Sequence, residues 1–215
     1  LLAPGGMRSS IPVWASTPYN PIGQLGPHFQ VIAMDPRNAG QSTAPIAATD
    51  GWRDYTDDQV ALLDHLGIDR FHAAGMCIGG SFIMGLVEAV PERIVSAVML
   101  QPIGFADNRQ TFADLFDGWS EALKSKHSSL SDDDWATFRT TMFGGDFLFN
   151  APEDAVAKCH IPLLVLMGTD IYHPEKTSRR IAELAPRATL VEHWKEPENQ
   201  TSTSAVINAF LAEHT

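Results

Sequence analysis

Two kinds of pattern alternate along the chain. Short apolar runs recur at "FQVIAMD" (29–35), "RFHAAGM" (70–76), "IVSAVMLQP" (94–102), "IPLLVLMG" (161–168) and "ATLVEHW" (188–194). Their length and near-continuous apolar character are those of strands buried on both faces. Between them lie stretches with helical spacing. In "WRDYTDDQVALLDHLG" (52–67), Val60, Leu62, Leu63 and Leu66 form one stripe, and Gly67 is a natural stop. "SFIMGLVEAV" (81–90) is a second helix, ended by Pro91; "KTSRRIAELA" (176–185) is a third and "TSAVINAFLAEH" (203–214) closes the chain. Repeated strand–helix units predict an α/β fold with a mostly parallel sheet flanked by helices.

Residues 105–157 break this rhythm. They lack strand-like runs and read as helices, "RQTFADLFDGWSEALKSK" (109–126) and "SDDDWATFRTTMF" (131–143), the latter with Ser131 as N-cap and acids in its first turn. Nine of the nineteen aromatic residues fall here, among them Phe112, Phe116, Trp119, Trp135 and Phe143. The segment is expected to be a small helical insertion over the C-terminal edge of the sheet, roofing an apolar pocket. Residues 1–104 and 158–215 then form the core and 105–157 the insertion.

Composition narrows the classes of function. A chain of 215 residues builds one sizeable domain, and its 44% hydrophobic and 19% charged residues are ordinary for a globular protein. The net charge of −11, with Lys and Arg scattered, argues against a nucleic-acid partner and against an anionic membrane surface. No apolar run is long enough for a transmembrane helix. Two cysteines, Cys77 and Cys159, make no disulfide framework and have no zinc-ligand spacing. A reducing, cytoplasmic setting is the expectation. The chain opens on "LLAPGG" as if inside a strand, with neither a start methionine nor the charged flank of a signal peptide.

The chemistry centres on "FHAAGMCIGGSF" (71–82), where a strand, Gly75-Met76-Cys77-Ile78-Gly79-Gly80 and a helix follow one another. A nucleophile exposed at a sharp strand-to-helix turn needs small residues two positions before and after it, so that strand and helix can approach. The helix begins at the nucleophile, so its positive end favours a thiolate. The Ile78 N–H is then placed to hold an oxyanion. The plainer reading is a small buried hydrophobe at a strand end; Cys159, beside His160 and ahead of a strand, is read in that way.

Around this turn the chain resembles the α/β-hydrolase fold family over nearly its whole length. "LLAPGGM" is similar to the strand and loop that supply a second oxyanion donor, with Pro4 where the family commonly has His. "DPRNAGQS" (35–42) resembles the D-x-R-G-x-G-x-S loop, with Asn38 for the first Gly. "VALLDHLGIDRFHAAGMCIGG" resembles helix, strand and elbow, and "VPERIVSAVML" the next helix end and strand. The resemblance implies an α/β-hydrolase fold whose first strands are absent here. It places a small helical cap at 105–157. Cys77 becomes the nucleophile, and Ile78 with Gly6 or Met7 the oxyanion donors. A cysteine at this position is shared with dienelactone-hydrolase-like members.

The family's acid follows the strand after the cap, which in "LLVLMGTDIYHP" selects Asp170, set to orient an imidazole. Its histidine belongs in the loop after the last strand. Here that loop, "KEPENQTSTS" (195–204), has none, and Asn199 stands near the expected place. Two candidates remain: His193, within the apolar run "LVEHW", and His173, on the right edge but close in sequence to Asp170 for the usual geometry. His28, His65, His72, His127, His160 and His214 read as surface or packing residues.

The expected function is hydrolysis of a small-molecule ester, thioester or lactone with an apolar acyl or ring part, without metal or organic cofactor. A homo-oligomer is compatible with the sequence. The alternative is a catalytically impaired or non-catalytic relative that binds a ligand or partner in the same pocket.

Overall fold

The computed structural model describes residues 1–214. Four parallel strands, β1 (Phe71–Met76), β2 (Ile94–Leu100), β3 (Leu163–Leu166) and β4 (Ala188–Val191), lie in the order β1-β2-β3-β4. On the far side of β1, Leu2 makes a single parallel bridge to Gly75. The helices are α1 (Pro21–Leu25), α2 (Trp52–His65), α3 (Gly79–Ala89), α4 (Arg109–Glu121), α5 (Asp132–Phe143), α6 (Glu153–Ala157), α7 (Glu175–Leu184) and α8 (Gln200–Glu213).

Strand side chains alternate between two cores, as the pleat requires. Ala97, Met99, Leu163 and Val165 face one layer with Ile83, Met84 and Leu86 of α3, Val156 of α6 and Ile181 of α7. Val98, Leu100, Leu164 and Leu166 face the other, against Trp14, Trp194 and the Ile207 and Leu211 pair of α8. Every one of these strand residues is essentially buried, which explains runs that are apolar rather than alternating.

The stretch 29–35 forms no strand, contrary to the expectation from its apolar run. Phe29 and Val31 do pack on the second core. Its backbone makes one hydrogen bond to the neighbouring segment, from Leu1 N to Ile32 O at 2.6 Å, and no ladder among the described residues. The run 188–194 also ends early, at Val191. Trp194 turns into the core, where its Nε1 donates to Met167 O at 2.8 Å and its carbonyl accepts from Thr203 Oγ1 at 2.7 Å.

The "DPRNAGQS" loop is closed by Asp35, which accepts from the Ile11 N–H at 2.7 Å and the Gln41 N–H at 2.9 Å. Gly40 adopts φ 55°, and a Cβ there would stand 2.1 Å from Asp35 Oδ2, so this position is closed to side chains.

In the helical segment, α5 carries the expected Ser131 cap, with Asp134 accepting from the Ser131 N–H in return. Phe112, Phe116, Trp119, Trp135, Phe138 and Phe143 build a third, aromatic core that includes Tyr55, Ile78 and Phe82. Edge-to-face pairs run through it, such as Phe116 on Phe138 at 5.2 Å. Leu148, Ala151 and Val156 instead join the first sheet core, so α6 packs with the body and not with α4 and α5.

Candidate active site

Cys77 sits between β1 and α3 with φ 61°, a left-handed conformation that costs energy for a side-chain-bearing residue. Its backbone is held from three directions. The Cys77 N–H donates to Leu100 O at 3.0 Å, and its carbonyl accepts from the Gly80 and Ile103 N–H groups, both at 3.1 Å. Glycines make the turn possible. A Cβ at Gly75 would lie 2.6 Å from Gly79 O, and one at Gly79 would lie 2.6 Å from Leu2 O. The small residues of the sequence pattern are thus close-approach positions. Cys77 itself stays partly accessible, whereas Cys159 is buried in the first core, where burial pushes its thiol up.

Asp170 and His173 share one tight turn after β3. The Asp170 N–H donates to His173 O and the His173 N–H to Asp170 O, each at 3.2 Å. The Asp170 carboxylate accepts from the Tyr172 N–H at 2.9 Å and the His173 N–H at 3.0 Å through Oδ1, while Oδ2 lies 2.9 Å from His173 Nδ1. Short separation in sequence, expected to spoil the pairing, instead creates it. The turn folds back on Gly168, where a Cβ would stand 2.5 Å from His173 Cβ and 2.4 Å from His173 O. Asn108, buried ahead of α4, ties the turn to the helical segment: its Nδ2 donates to Ile171 O at 2.7 Å and Gly104 O at 3.1 Å, and its Oδ1 accepts from the Ala106 N–H.

With Nδ1 committed to Asp170, Nε2 of the buried His173 is the ring atom left for Cys77. Both side chains line one pocket and shift each other's titration, while Nε2 itself makes no hydrogen bond in the structure. A loose contact of this kind is common before substrate binds. Burial alone would push the Cys77 thiol up; His173, with the Gly5 and Ile78 N–H groups, outweighs it and brings the thiol below its ordinary value. Burial would likewise push His173 down, but Cys77 and then Asp170 raise it. For Asp170, burial is again outweighed, here by His173 and the two turn N–H groups, and its carboxyl is held low. These mutual shifts favour a thiolate–imidazolium pair beside a carboxylate.

Ile78 and the Gly5–Met7 turn flank the sulfur. The Gly5 and Ile78 N–H groups help bring the Cys77 thiol below its ordinary value, and Gly5 and Gly6 adopt φ 126° and 59°. Gly6 and Met7 line the same pocket; Gly5 is the donor that the sequence did not single out. The pocket has a volume of about 350 Å³. Its walls include Val13, Ile103, Phe112, Leu115, Phe143 and Tyr172, and no Asp, Glu, Lys or Arg of the described residues lines it. A second cavity of about 270 Å³ lies between residues 29–34 and β1, away from the thiol.

His193 is not part of this arrangement. It lies past the end of β4, exposed, with Glu192 and Glu196 as its charged neighbours, and it does not line the pocket. Asn199 donates through Nδ2 to Glu196 Oε2 at 2.9 Å at the start of α8 and is likewise outside the pocket. The sequence had one signal for the turn around His173, the crowding of Gly168, Asp170 and His173 at a strand end; nothing in it marked Asn108. Among the described residues no group of three or more His, Cys, Asp or Glu is arranged to hold a metal ion, and no helix is long and apolar enough to cross a membrane.

Comparison with known proteins agrees with this architecture. A carboxylesterase of Bacillus subtilis (strain 168), YbfK, is 30% identical over 102 residues, covering 47% of this chain and 33% of its own. The chain thus spans about a third of that relative's length. The structure superposes on an enol-lactonase from Burkholderia xenovorans LB400 with a TM-score of 0.70 at 19% identity, covering 98% of this chain and 90% of that one. A meta-cleavage product hydrolase from Pseudomonas fluorescens IP01 gives a TM-score of 0.68 at 19% identity, covering 98% and 88%. Residues 2–155, with the elbow and the Gly5–Met7 turn among them, match the alpha/beta hydrolase fold family, and the chain belongs to that family.

Proposed function

We propose that the protein hydrolyses small-molecule esters, thioesters or lactones through Cys77, with His173 as acid–base and Asp170 as its orienting carboxylate. The observation that carries this reading is the Asp170–His173 pair at 2.9 Å, with His173 in the lining of the same pocket as a thiol held in a strained strand-to-helix turn. Relatives named as a carboxylesterase and an enol-lactonase support the reaction class.

The steps follow from the geometry. The Cys77 thiolate attacks the substrate carbonyl carbon, and the C=O electron pair becomes an oxyanion. That oxyanion is held by the Ile78 N–H and an N–H of the Gly5–Met7 turn. As the tetrahedral adduct collapses, the imidazolium of His173 gives its Nε2 proton to the leaving oxygen or sulfur. Water then attacks the acyl–sulfur carbonyl while Nε2 takes its proton. The C–S bond breaks, and the thiolate–imidazolium pair is restored.

The apolar pocket selects an acyl or ring part without charge, and the α4–α5 layer acts as the cap above it. A thiolate nucleophile works best where it stays reduced, which fits a cytoplasmic setting. The non-catalytic alternative rested on a missing histidine in the 195–204 loop, and a histidine at the thiol from another loop supports catalysis instead.

Steady turnover of p-nitrophenyl acetate and butyrate, lost at least about 10³-fold in Cys77→Ala, is the expected result. Equal rates in the two proteins would overturn the assignment.

A further inference from the structure

The pocket is apolar except at one corner. Apart from Cys77, His173 and Tyr172, its one polar side chain is Gln101. This residue follows β2 directly, and β1 and β2 are in register with Met76 opposite Leu100, so Gln101 stands beside Cys77 at the sheet edge.

Its backbone is strained. Gln101 has φ 37°, left-handed for a residue with a side chain, and it precedes Pro102, which restricts it further. The conformation is held by the Gln101 N–H donating to Leu166 O at 2.7 Å. Such an outlier in a pocket wall points to a side chain aimed for use.

Lys195, from the loop after β4, fixes the amide. Its Nζ donates to Gln101 Oε1 at 3.4 Å. An ammonium can only donate, so Oε1 must be the atom that faces it, and the Nε2 donors are left for the pocket. Nε2 has no protein partner among the described residues. A donor held in an apolar wall is matched by an acceptor on the ligand or by water.

We propose that Gln101 is a specificity-determining residue that donates a hydrogen bond to a second acceptor oxygen on the substrate's acyl part, with Lys195 as its positioning residue. The preferred substrates are esters, thioesters or lactones whose otherwise apolar acyl group carries an uncharged carbonyl in addition to the scissile one. This rests on the hydrolase reading above, and it adds what the pocket selects.

The test compares p-nitrophenyl 4-oxopentanoate with p-nitrophenyl pentanoate, which differ only in the oxo group. The readout is the ratio of their kcat/KM values. Gln101→Met is nearly isosteric and lacks the donor; the ratio should fall about tenfold, the worth of one such hydrogen bond. Lys195→Met should lower it about threefold, and Lys195→Arg should restore it. A ratio within twofold of wild type in Gln101→Met, with the circular dichroism unchanged, would overturn the proposal. Absence of turnover of either ester by the wild-type protein would sink the hydrolase reading instead. The specificity is then read from protection of Cys77 against iodoacetamide by N-methyl-4-oxopentanamide and N-methylpentanamide. Stronger protection by the oxo compound, lost in Gln101→Met, supports the proposal; equal protection overturns it.

Discussion

The imidazole of His173 lies 2.9 Å from the carboxylate of Asp170, three residues earlier in the same turn. Both side chains are therefore carried by one loop, whereas residues 195–204, ahead of and into α8, contain no histidine. This arrangement separates the two histidines that sequence alone left open. His173→Gln should lower turnover of p-nitrophenyl butyrate by about 10²–10⁴-fold, the range for loss of a general acid–base. His193→Gln, exposed between Glu192 and Glu196, should leave it within about twofold of wild type. The reverse ranking would assign the base to His193.

The thiol gives a pH signature. Alkylation by iodoacetamide follows the thiolate fraction, so its rate rises as pH climbs through the Cys77 pKa. Since His173, Gly5 and Ile78 together bring that pKa below the ordinary 9.0, the midpoint should fall below 9.0. His173→Gln removes the main lowering partner and should move the midpoint upward. Asp170→Asn weakens the imidazolium that supports the thiolate, and should move it in the same direction by less. A midpoint that stays in place in His173→Gln would mean the two side chains do not interact.

Gly168 is where the turn is most sensitive to volume. A Cβ there would meet His173 Cβ at 2.5 Å and His173 O at 2.4 Å, and the carbonyl belongs to the turn's own hydrogen bonds. Gly168→Ala should displace His173, costing about 1–3 kcal/mol of stability, as overpacking does. Turnover should fall about tenfold or more through kcat, because Cys77 and the apolar walls of the pocket remain. Thermal denaturation and steady-state kinetics on the same preparation check both effects.

The order of elements was legible because buried strands and amphipathic helices leave strong periodic traces. So was the elbow, because a sharp strand-to-helix turn demands small residues, Gly75 against Gly79 O and Gly79 against Leu2 O. The strand expected at 29–35 failed because pairing depends on a neighbour, which an apolar run does not reveal. The pairing of His173 with Asp170 was obscured for a related reason. Whether a histidine three residues from an acid can bond to it depends on the turn, and that turn exists because Gly168 admits the returning chain. Asn108 carried no trace, since its partners are backbone carbonyls that any sequence would offer.

Asn108 should therefore act on catalysis without touching the substrate. Its amide spans from Gly104 O to Ile171 O, and so couples the start of the helical segment to the turn that holds His173. Asn108→Ala removes the part-buried hydrogen bonds to the Ala106 N–H and Ile171 O and the buried one to Gly104 O, each worth about 1 kcal/mol. A purely structural role would lower the melting temperature and leave kcat per folded molecule unchanged. A positioning role predicts more: kcat should fall several-fold with KM little altered, and the Cys77 alkylation midpoint should rise as the His173 contact loosens. Asn108→Asp offers the discriminating comparison. It keeps the acceptor for the Ala106 N–H but cannot donate to Ile171 O, so it should reproduce the loss in kcat and the shifted midpoint of Asn108→Ala. If instead Asn108→Asp retains wild-type kcat and midpoint, the tether to Ile171 does not position His173.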